Sequence, residues 1–390
     1  MTTFNTNATR GTLLAALATV GVCDIAFGLT LQLQPLILEQ LKVPAWIIGL
    51  NAAMGAVGIL IAGPFLPAVI AKLGSRRLAL IAILTIIATL SAMAVVPPLY
   101  WWFPLRFLMG MAVGTLFTVS ESWLLTIATD ANRGRLMGIY TAMLSLTFAI
   151  GPLLLPFTGI NGILPWVIGV ICVALGLLPL SLVKVREISE DGGKGNIFTV
   201  LARAPVLFGC VLAATLFDSV IISFFTIFAV RHGLDLATAS TLLATGIIAG
   251  VVFFYPIGML ADRWSKNGVV MSCAVCAVAS CLALIPLVAT PLIWPLVVLL
   301  TTSAFGVYVV ALALIGDVFK GRDMVAASAA VAAMWGVGGI IGPPIAGRMI
   351  DAFGINAFPV TLAGFYCLLV LGLALNRGRV VALPALLQQP

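Results

Sequence analysis

A series of twelve long apolar segments is the feature that most constrains the fold of this chain. A segment of about 20 apolar residues is long enough to cross the hydrocarbon core of a bilayer as an α-helix. The segments lie near residues 11–38, 45–70, 78–96, 101–128, 136–156, 163–183, 205–230, 237–260, 268–289, 294–316, 325–350 and 356–375. Only 8% of the residues are charged, against roughly 25% in soluble domains. The sequence therefore predicts an all-α membrane protein with twelve transmembrane helices.

The lysine and arginine residues fall mainly in alternate loops between these segments. Basic loops remain on the cytoplasmic side of a membrane protein, and only Lys42, Arg231 and Arg348 lie in the loops of the opposite side. We therefore expect a multi-pass protein of the cytoplasmic (inner) membrane with both termini in the cytoplasm. This placement accounts for the net charge of +7 without a nucleic-acid partner.

The chain divides into two related halves. A polar segment that ends the eighth apolar run, Gly258 to Arg263, has a counterpart about 191 residues earlier, and Asp24 corresponds to Asp218. The predicted organisation is a six-helix bundle (1–183), a cytoplasmic linker (184–204), a second six-helix bundle (205–375) and a cytoplasmic tail (376–390). An even number of helices in each half gives both halves the same orientation, as in transporters with parallel repeats.

Four charged residues inside the apolar segments are the leading functional candidates: Asp24, Arg106, Glu121 and Asp218. A charge at the bilayer centre costs about 2.5–3.5 kcal/mol, so it must face protein or water. Gln32 lies on the same helix as Asp24 and extends its polar stripe. Burial favours the protonated form of a carboxyl group, which suits a proton carrier, but a purely structural contact between helices would also explain either aspartate.

Arg106 and Glu121 share one face of the fourth apolar segment by helical periodicity. They are 15 residues apart, which places them about 22 Å apart along a helix and excludes a direct ion pair. Arg106 lies nearer the predicted outer side. Glu121 lies nearer the cytoplasm and is either a second proton site or a partner in an ion pair of an inner gate.

Several motifs resemble those of the major facilitator superfamily of transporters, and the resemblance covers essentially the whole chain. They are Gly258-x-Leu-Ala-Asp262-Arg263, Arg106-x-x-x-Gly110-x-x-x-Gly114, Gly151-Pro152 and a glycine–proline cluster around Gly342-Pro343. Glu121-Ser122-Trp123-Leu124 resembles a branch near the drug–proton antiporters. Two departures weaken the similarity to antiporters: Ala71 stands where the first-half loop normally has an aspartate, and Phe148-Ala149-Ile150 precedes Gly151 instead of further glycines.

The resemblance implies two bundles that rock to give alternating access, with Arg106 as a coupling residue. We expect a gate formed by Lys72, Arg76, Gly258, Asp262, Arg263, Gly342 and Pro343. Asp262 could cap a helix or pair with Arg263 or Arg322, and Pro343-Pro344 should bend the eleventh helix by freeing backbone groups.

The function predicted from the sequence is a proton-coupled secondary transporter, an antiporter that exports a small, partly apolar compound. Transport of a polar metabolite or organic anion is the alternative, and an Arg106 without a carboxylate partner would favour it. A receptor or scaffold that does not transport is the alternative from another class. No nucleophile–base pair, metal cluster or nucleotide-binding loop is visible, so we expect neither an enzyme nor a cofactor. The expected partners are a small-molecule substrate, protons and membrane lipid, and the chain is expected to act as a monomer.

Overall fold

The computed structural model describes residues 6–127, 133–182, 197–376 and 380, with backbone alone for 6–13, 15, 125–127, 133–135, 182 and 322. Every regular element in these ranges is helical. Within the described residues, twelve helical spans are long and apolar enough to cross a membrane. The predicted all-α class with twelve transmembrane helices is therefore confirmed.

The first six spans are built from eight helices and one 3-10 turn. They are α1 (Thr6–Gln40), α2 (Ala45–Ala62), the turn Gly63–Phe65, α3 (Leu66–Leu73), α4 (Ser75–Val95), α5 (Trp102–Ile127), α6 (Arg133–Thr158), α7 (Leu164–Leu175) and α8 (Leu177–Leu182). Pro64 lies inside the 3-10 turn, where its missing N–H interrupts the regular hydrogen-bond ladder. The second span is therefore α2 and α3 together, and the sixth is α7 and α8.

The last six spans follow a short helix of the predicted linker. The helices are α9 (Ile197–Arg203), α10 (Pro205–Arg231), α11 (Leu236–Arg263), α12 (Lys266–Leu287), α13 (Ile293–Val318), α14 (Gly321–Phe353) and α15 (Ala357–Leu375). Unlike the second span, α11 continues unbroken through its proline, Pro256. Residues 184–196 of the predicted linker and residues 377–379 and 381–390 of the predicted tail lie outside the described residues.

Side-chain caps define where two helices of the second half begin. Asp235 accepts a hydrogen bond of 3.1 Å from the backbone N–H of Thr238 at the start of α11. This bond holds the pKa of the exposed Asp235 carboxyl below its usual value. Ser265 caps α12 in the same way, through the N–H of Gly268 at 3.2 Å. Such caps satisfy N–H groups that have no partner within their own helix.

Contacts divide the chain into two units. The first contains Met1–Leu41 and Met54–Glu190, and the second contains Lys42–Ala53 and Asp191–Pro390. The start of α2 therefore groups with the helices of the second half. The two most buried of the described spans are the first and the seventh, with 67% and 61% of their most apolar stretch buried. These two helices, α1 and α10, carry Asp24 and Asp218.

Candidate functional site

Asp24 lies in the middle of α1, and only 4% of its surface is exposed. The Thr147 hydroxyl on α6 donates a hydrogen bond of 3.1 Å to its Oδ2 atom. The same hydroxyl lies 3.0 Å from the carbonyl oxygens of Met143 and Leu144. Because a hydroxyl donates one proton and can also accept, it can accept from a protonated Asp24 while donating to its own helix. The Asp24–Thr147 pair thus accommodates either protonation state of the carboxyl without moving.

Two glycines bring the backbones of α1 and α6 together beside this pair. A Cβ atom on Gly28 would lie 2.2 Å from the carbonyl oxygen of Phe148, and one on Gly151 would lie 2.2 Å from the backbone nitrogen of Leu29. Gly28 follows Asp24 by four residues and Gly151 follows Thr147 by four, which is about one helical turn in each case. The close approach therefore holds the carboxyl against the hydroxyl.

An aromatic cluster lies next to Asp24. The ring of Phe27 packs edge-to-face against Phe117 and Phe148, with ring centroids 6.2 and 6.0 Å apart. All three side chains are half-buried. Aromatic pairs in this geometry stabilise the packing by more than the burial of their apolar area alone provides. The acid of the first unit thus lies beside an apolar, aromatic surface.

Arg106 is the second buried charge of the first unit and is 1% exposed. Its Nη1 atom donates to the side-chain oxygen of Gln34 on α1, and Gln34 in turn donates to the Met93 sulfur at 3.3 Å. The Nε atom of Arg106 is buried without a hydrogen-bond partner. Within the described part of the chain, no carboxylate lies within 4.0 Å of the guanidinium. An Arg106 without a carboxylate partner favours the alternative of an anionic substrate, and the role of this residue stays a prediction.

The remaining predicted polar residues of the first unit lie at different depths. Gln32 is buried on α1. Gln34, which accepts the hydrogen bond from Arg106, is ten residues from Asp24 on the same helix. Arg106 therefore contacts α1 about 15 Å along the helix from that acid. Glu121 is exposed near the end of α5. Its neighbour Ser120 is buried and forms a hydrogen bond of 2.7 Å with the hydroxyl of Tyr140. Asp24, Arg106 and Glu121 therefore do not form one cluster, and their roles stay predictions.

Asp218 is half-buried on α10, between two residues that bond to α14. The Thr215 hydroxyl lies 3.0 Å from the carbonyl oxygen of Met334, and the Ser219 hydroxyl donates to the carbonyl oxygen of Gly338 at 3.0 Å. These bonds tie α10 to α14 on both sides of the carboxyl. Asp218 is thus held on a fixed helix pair, as Asp24 is in the first unit.

An aromatic pair of the second unit was not predicted. Trp335 on α14 donates from its indole nitrogen to the Tyr308 hydroxyl on α13 at 3.2 Å. The two rings pack edge-to-face with centroids 5.7 Å apart. Trp335 is 36% exposed. The two rings therefore form a partly exposed apolar surface that also carries the indole N–H and the tyrosine hydroxyl. Its only sequence signal is two aromatic residues in different apolar segments, which does not indicate that they meet.

The start of α2 is attached to the end of α14. Pro44 precedes α2 and has no side-chain hydrogen-bond acceptor. Asp351, which lies 306 residues after Ala45, supplies one instead. Its two carboxylate oxygens accept hydrogen bonds of 2.9 Å from the backbone N–H groups of Ala45 and Trp46. The Arg348 guanidinium lies 4.4 Å from the centre of the Trp46 ring. We call these contacts the α2–α14 clamp.

Glycines allow the backbones to approach closely in the clamp. A Cβ atom on Gly347 would lie 2.3 Å from the carbonyl oxygen of Ala45, and one on Gly49 would lie 2.2 Å from that of Pro343. Gly342 faces α10 instead, where a Cβ atom would lie 2.7 Å from the Ser219 hydroxyl. The helix α14 continues without interruption through its two prolines. Gly342 and Pro343 are thus packing residues here, and their role in gating stays a prediction.

Replacing Asp351 with alanine is expected to loosen the α2–α14 clamp. The change removes both acceptors from the first turn of α2, and the loss of an N-terminal cap costs about 0.5–2 kcal/mol. Amide hydrogen exchange of residues 42–53 should therefore accelerate, by about tenfold for a loss of 1.4 kcal/mol. Asp235→Ala is the matched control, because Asp235 caps α11 within its own span. Unchanged exchange of residues 42–53 in the Asp351 variant would show that the clamp does not depend on this carboxylate.

The predicted gate residues of the motif loops are mostly exposed. Lys72, Asp262 and Arg263 are exposed, and a Cβ atom on Gly258 would meet nothing within 4 Å. Arg76 donates to the carbonyl oxygen of Ser181 at 3.0 Å.

Asp262 lies 3.8 Å from Lys266 instead of pairing with Arg263, and Lys266 lies 2.6 Å from Asp317. The side chain of Arg322, the other expected partner, lies outside the described residues. The role of this group in a gate stays a prediction.

No cluster of metal ligands is present in the described ranges, where no group of three or more His, Cys, Asp or Glu side chains could hold an ion. His232, the single histidine of the sequence, is engaged at the end of α10. Its ring nitrogens lie 2.8 Å from the carbonyl oxygen of Phe228 and 2.9 Å from the side-chain oxygen of Asn356. Both ring nitrogens therefore have hydrogen-bond partners at the end of α10.

Comparison with known proteins identifies the family. The sequence pattern described as Major Facilitator Superfamily matches residues 15–312 and 207–384. The chain belongs to this family, and it is accordingly a multi-pass membrane protein and a secondary transporter rather than an enzyme.

Individual relatives agree with the assignment to the family. The chain is 25% identical over 364 residues to the uncharacterized MFS-type transporter YcaD of Salmonella typhi and of Salmonella typhimurium, covering 91% of this chain and 93% of each relative.

Two solved structures share the fold. A bacterial homolog of the human lysosomal transporter Spinster has a TM-score of 0.76 at 14% identity, covering 95% of this chain and 96% of that chain. The nucleoside transporter NupG has a TM-score of 0.75 at 15% identity, covering 95% and 98%.

Proposed function

We propose that this chain is a proton-coupled secondary transporter of small organic anions with an apolar body. The observation that carries the choice of an anion is Arg106, which is 1% exposed and has no carboxylate within 4.0 Å in the described part of the chain. A buried charge without an oppositely charged partner is costly. An anionic substrate would supply the missing partner, whereas a neutral compound would not.

The apolar part of the proposed substrate follows from the aromatic surface beside Asp24. Phe27, Phe117 and Phe148 form that surface, and ligand sites combine such apolar walls with a few placed polar groups. The same surface supports the second candidate, export of a neutral and partly apolar compound. We place export first for the direction of transport of either substrate, with protons entering as the substrate leaves.

Proton coupling is supported by the Asp24–Thr147 pair. The hydroxyl serves the ionised carboxyl as a donor and the protonated carboxyl as an acceptor, so Asp24 can gain and lose a proton without leaving a polar group unsatisfied. A change in charge at this buried position would alter the free energy of moving this face of α1 from contact with protein to contact with water. We therefore assign the coupling role to Asp24 before Asp218 or Glu121.

Alternating access requires contacts that can form and break. The α2–α14 clamp has suitable contacts, because it depends on exposed charges, Asp351 and Arg348, at the predicted outer side. Polar contacts at the surface exchange with water at little cost. We propose that the clamp opens when the outer side admits or releases the substrate. A monomer in the cytoplasmic (inner) membrane, with both termini in the cytoplasm, completes the proposal.

The substrate class is tested in liposomes that contain the purified protein. A pH gradient is imposed, and movement is measured for organic anions with aromatic or aliphatic bodies and for neutral and cationic compounds of the same size. We expect an organic anion to be driven by the gradient. Arg106→Gln should abolish its movement, whereas Lys42→Gln, which removes an exposed loop charge, should not.

Other results of this assay identify the alternatives. Gradient-driven movement of a neutral or cationic compound that is unaffected by Arg106→Gln would replace the anion proposal with export of partly apolar compounds. If neither a pH gradient nor a voltage moves any compound, the receptor or scaffold function is favoured.

A further inference from the structure

A surface pocket of about 480 Å³ opens between the start of α4 and the end of α8. Its walls are formed by Arg76, Arg77, Leu80, Leu177, Leu180 and Ser181. All of these residues belong to the first unit. We call it the α4–α8 pocket. The candidate transport residues Asp24 and Arg106 are not among those that line it.

Two arginines form the rim of this pocket. Arg76 and Arg77 are both exposed, and neither has an ion-pair partner in the described part of the chain. One N–H of Arg76 is held by the carbonyl oxygen of Ser181 at 3.0 Å, which orients the guanidinium at the rim. A guanidinium has five N–H donors, so Arg76 retains most of its capacity for an anion. Gly74 at the N-cap contributes no side-chain acceptor to this end of α4.

The pocket changes from basic to apolar over one helical turn. The third span begins at Ser75 and the sixth ends at Ser181, so the arginines lie at the membrane boundary. Leu80 lies four residues beyond Arg76 in the third span, and Leu177 lies four residues before Ser181 in the sixth, which is about 6 Å deeper in each case. Leu80 is 41% exposed. A charged rim thus lies directly above an apolar floor.

We propose that the α4–α8 pocket binds an acidic phospholipid. Its phosphate would accept hydrogen bonds from Arg76 and Arg77, since guanidinium groups bind phosphate through paired N–H donors. An acyl chain would lie along Leu80 and Leu177. Free inorganic phosphate would satisfy the arginines and leave this apolar floor uncovered. The predicted cytoplasmic side also faces the leaflet that attracts basic residues near the membrane.

The proposal is tested by lipid binding to the purified full-length protein in detergent. Native mass spectrometry measures how much phosphatidylglycerol and phosphatidylcholine remain bound at equal concentrations. We expect preferential binding of phosphatidylglycerol. Replacing both arginines, Arg76→Gln with Arg77→Gln, should weaken this binding on the order of 30-fold, because each basic group near an acidic lipid contributes roughly fivefold and the two factors multiply.

Matched variants make the result specific to the pocket. Arg263→Gln with Lys320→Gln removes two exposed charges elsewhere and should leave the binding of phosphatidylglycerol unchanged. Arg77→Gln alone tests the site without breaking the Arg76–Ser181 hydrogen bond, in case the double variant does not fold. Equal binding of the two lipids, or equal loss in the control pair, would overturn the proposal. Displacement by inorganic phosphate at the concentration of the lipid would also overturn it, because the site would then recognise phosphate alone.

Discussion

Replacing Asp24 with asparagine is expected to abolish pH-driven transport while solute exchange continues. The amide keeps the size of the side chain and its contact with Thr147, whose hydroxyl lies 3.1 Å from Oδ2. It cannot ionise, so it holds α1 permanently in the equivalent of the protonated state. Transport driven by an imposed pH gradient should fall to the level of empty liposomes. Exchange of labelled for unlabelled substrate at equal pH should stay close to that of the parent protein.

The control for this experiment is Asp235→Asn, which removes an exposed carboxylate at the start of α11. It should retain gradient-driven transport. Full gradient-driven activity of the Asp24 variant would remove this residue from the coupling role and leave Asp218 or Glu121 as the remaining acids. Loss of both gradient-driven transport and exchange would indicate a structural role, which the sequence alone left open.

Replacing Gly151 with alanine is expected to disrupt the first unit. A Cβ atom at this position would lie 2.2 Å from the backbone nitrogen of Leu29 and 2.4 Å from the carbonyl carbon of Gly28. These are backbone atoms of a neighbouring helix and cannot move aside by rotation of a side chain. Overpacking of this kind costs about 1–3 kcal/mol or more. The thermal denaturation temperature in detergent should fall, and gradient-driven transport should fall with it because Thr147 is displaced from Asp24.

The matched control lies on the same helix. Gly138 is exposed on α6, and a Cβ atom there would meet nothing within 4 Å. Gly138→Ala should leave the denaturation temperature unchanged or raise it, since alanine favours a helix over glycine by up to about 1 kcal/mol. An unchanged denaturation temperature for Gly151→Ala would mean that α1 and α6 are not in this close contact.

Gly151 also clarifies what the antiporter-like motif does in this chain. The sequence has Gly151-Pro152 without the further preceding glycines, which weakens the similarity to antiporters. In the structure, Gly151 meets Gly28 across the α1–α6 interface, next to the Asp24–Thr147 pair. The retained glycine is thus required by packing beside the acid, and it does not by itself define the direction of transport.

Much of the fold was predictable because membrane insertion is determined locally. A run of apolar residues crosses the bilayer whatever its neighbours are, so all twelve spans were placed from the sequence, along with the motifs of the family. The break at Pro64 and the unbroken helix at Pro256 were not distinguished. Both prolines remove an N–H group, and the surrounding packing decides whether the helix adjusts by a 3-10 turn.

The partners of the candidate residues could not be predicted. Asp24, Arg106 and Asp218 were identified by the cost of a charge in an apolar segment, but nothing in that cost indicates Thr147 or Gln34. Asp351 was missed altogether, because it caps a helix that begins 306 residues earlier. Its surroundings in the sequence resemble an ordinary polar helix end.

The sequence by itself determined the class of protein: the number of spans, the family and the charges within the apolar segments follow from local composition and short motifs. The tertiary structure alone decided which of those charges have partners and how closely the helices approach. Arg106 meets Gln34 rather than a carboxylate, and the start of α2 docks on α14 through Asp351. The physical reason is that the bilayer fixes the length of each helix, whereas its rotation and neighbours depend on packing summed over many distant side chains.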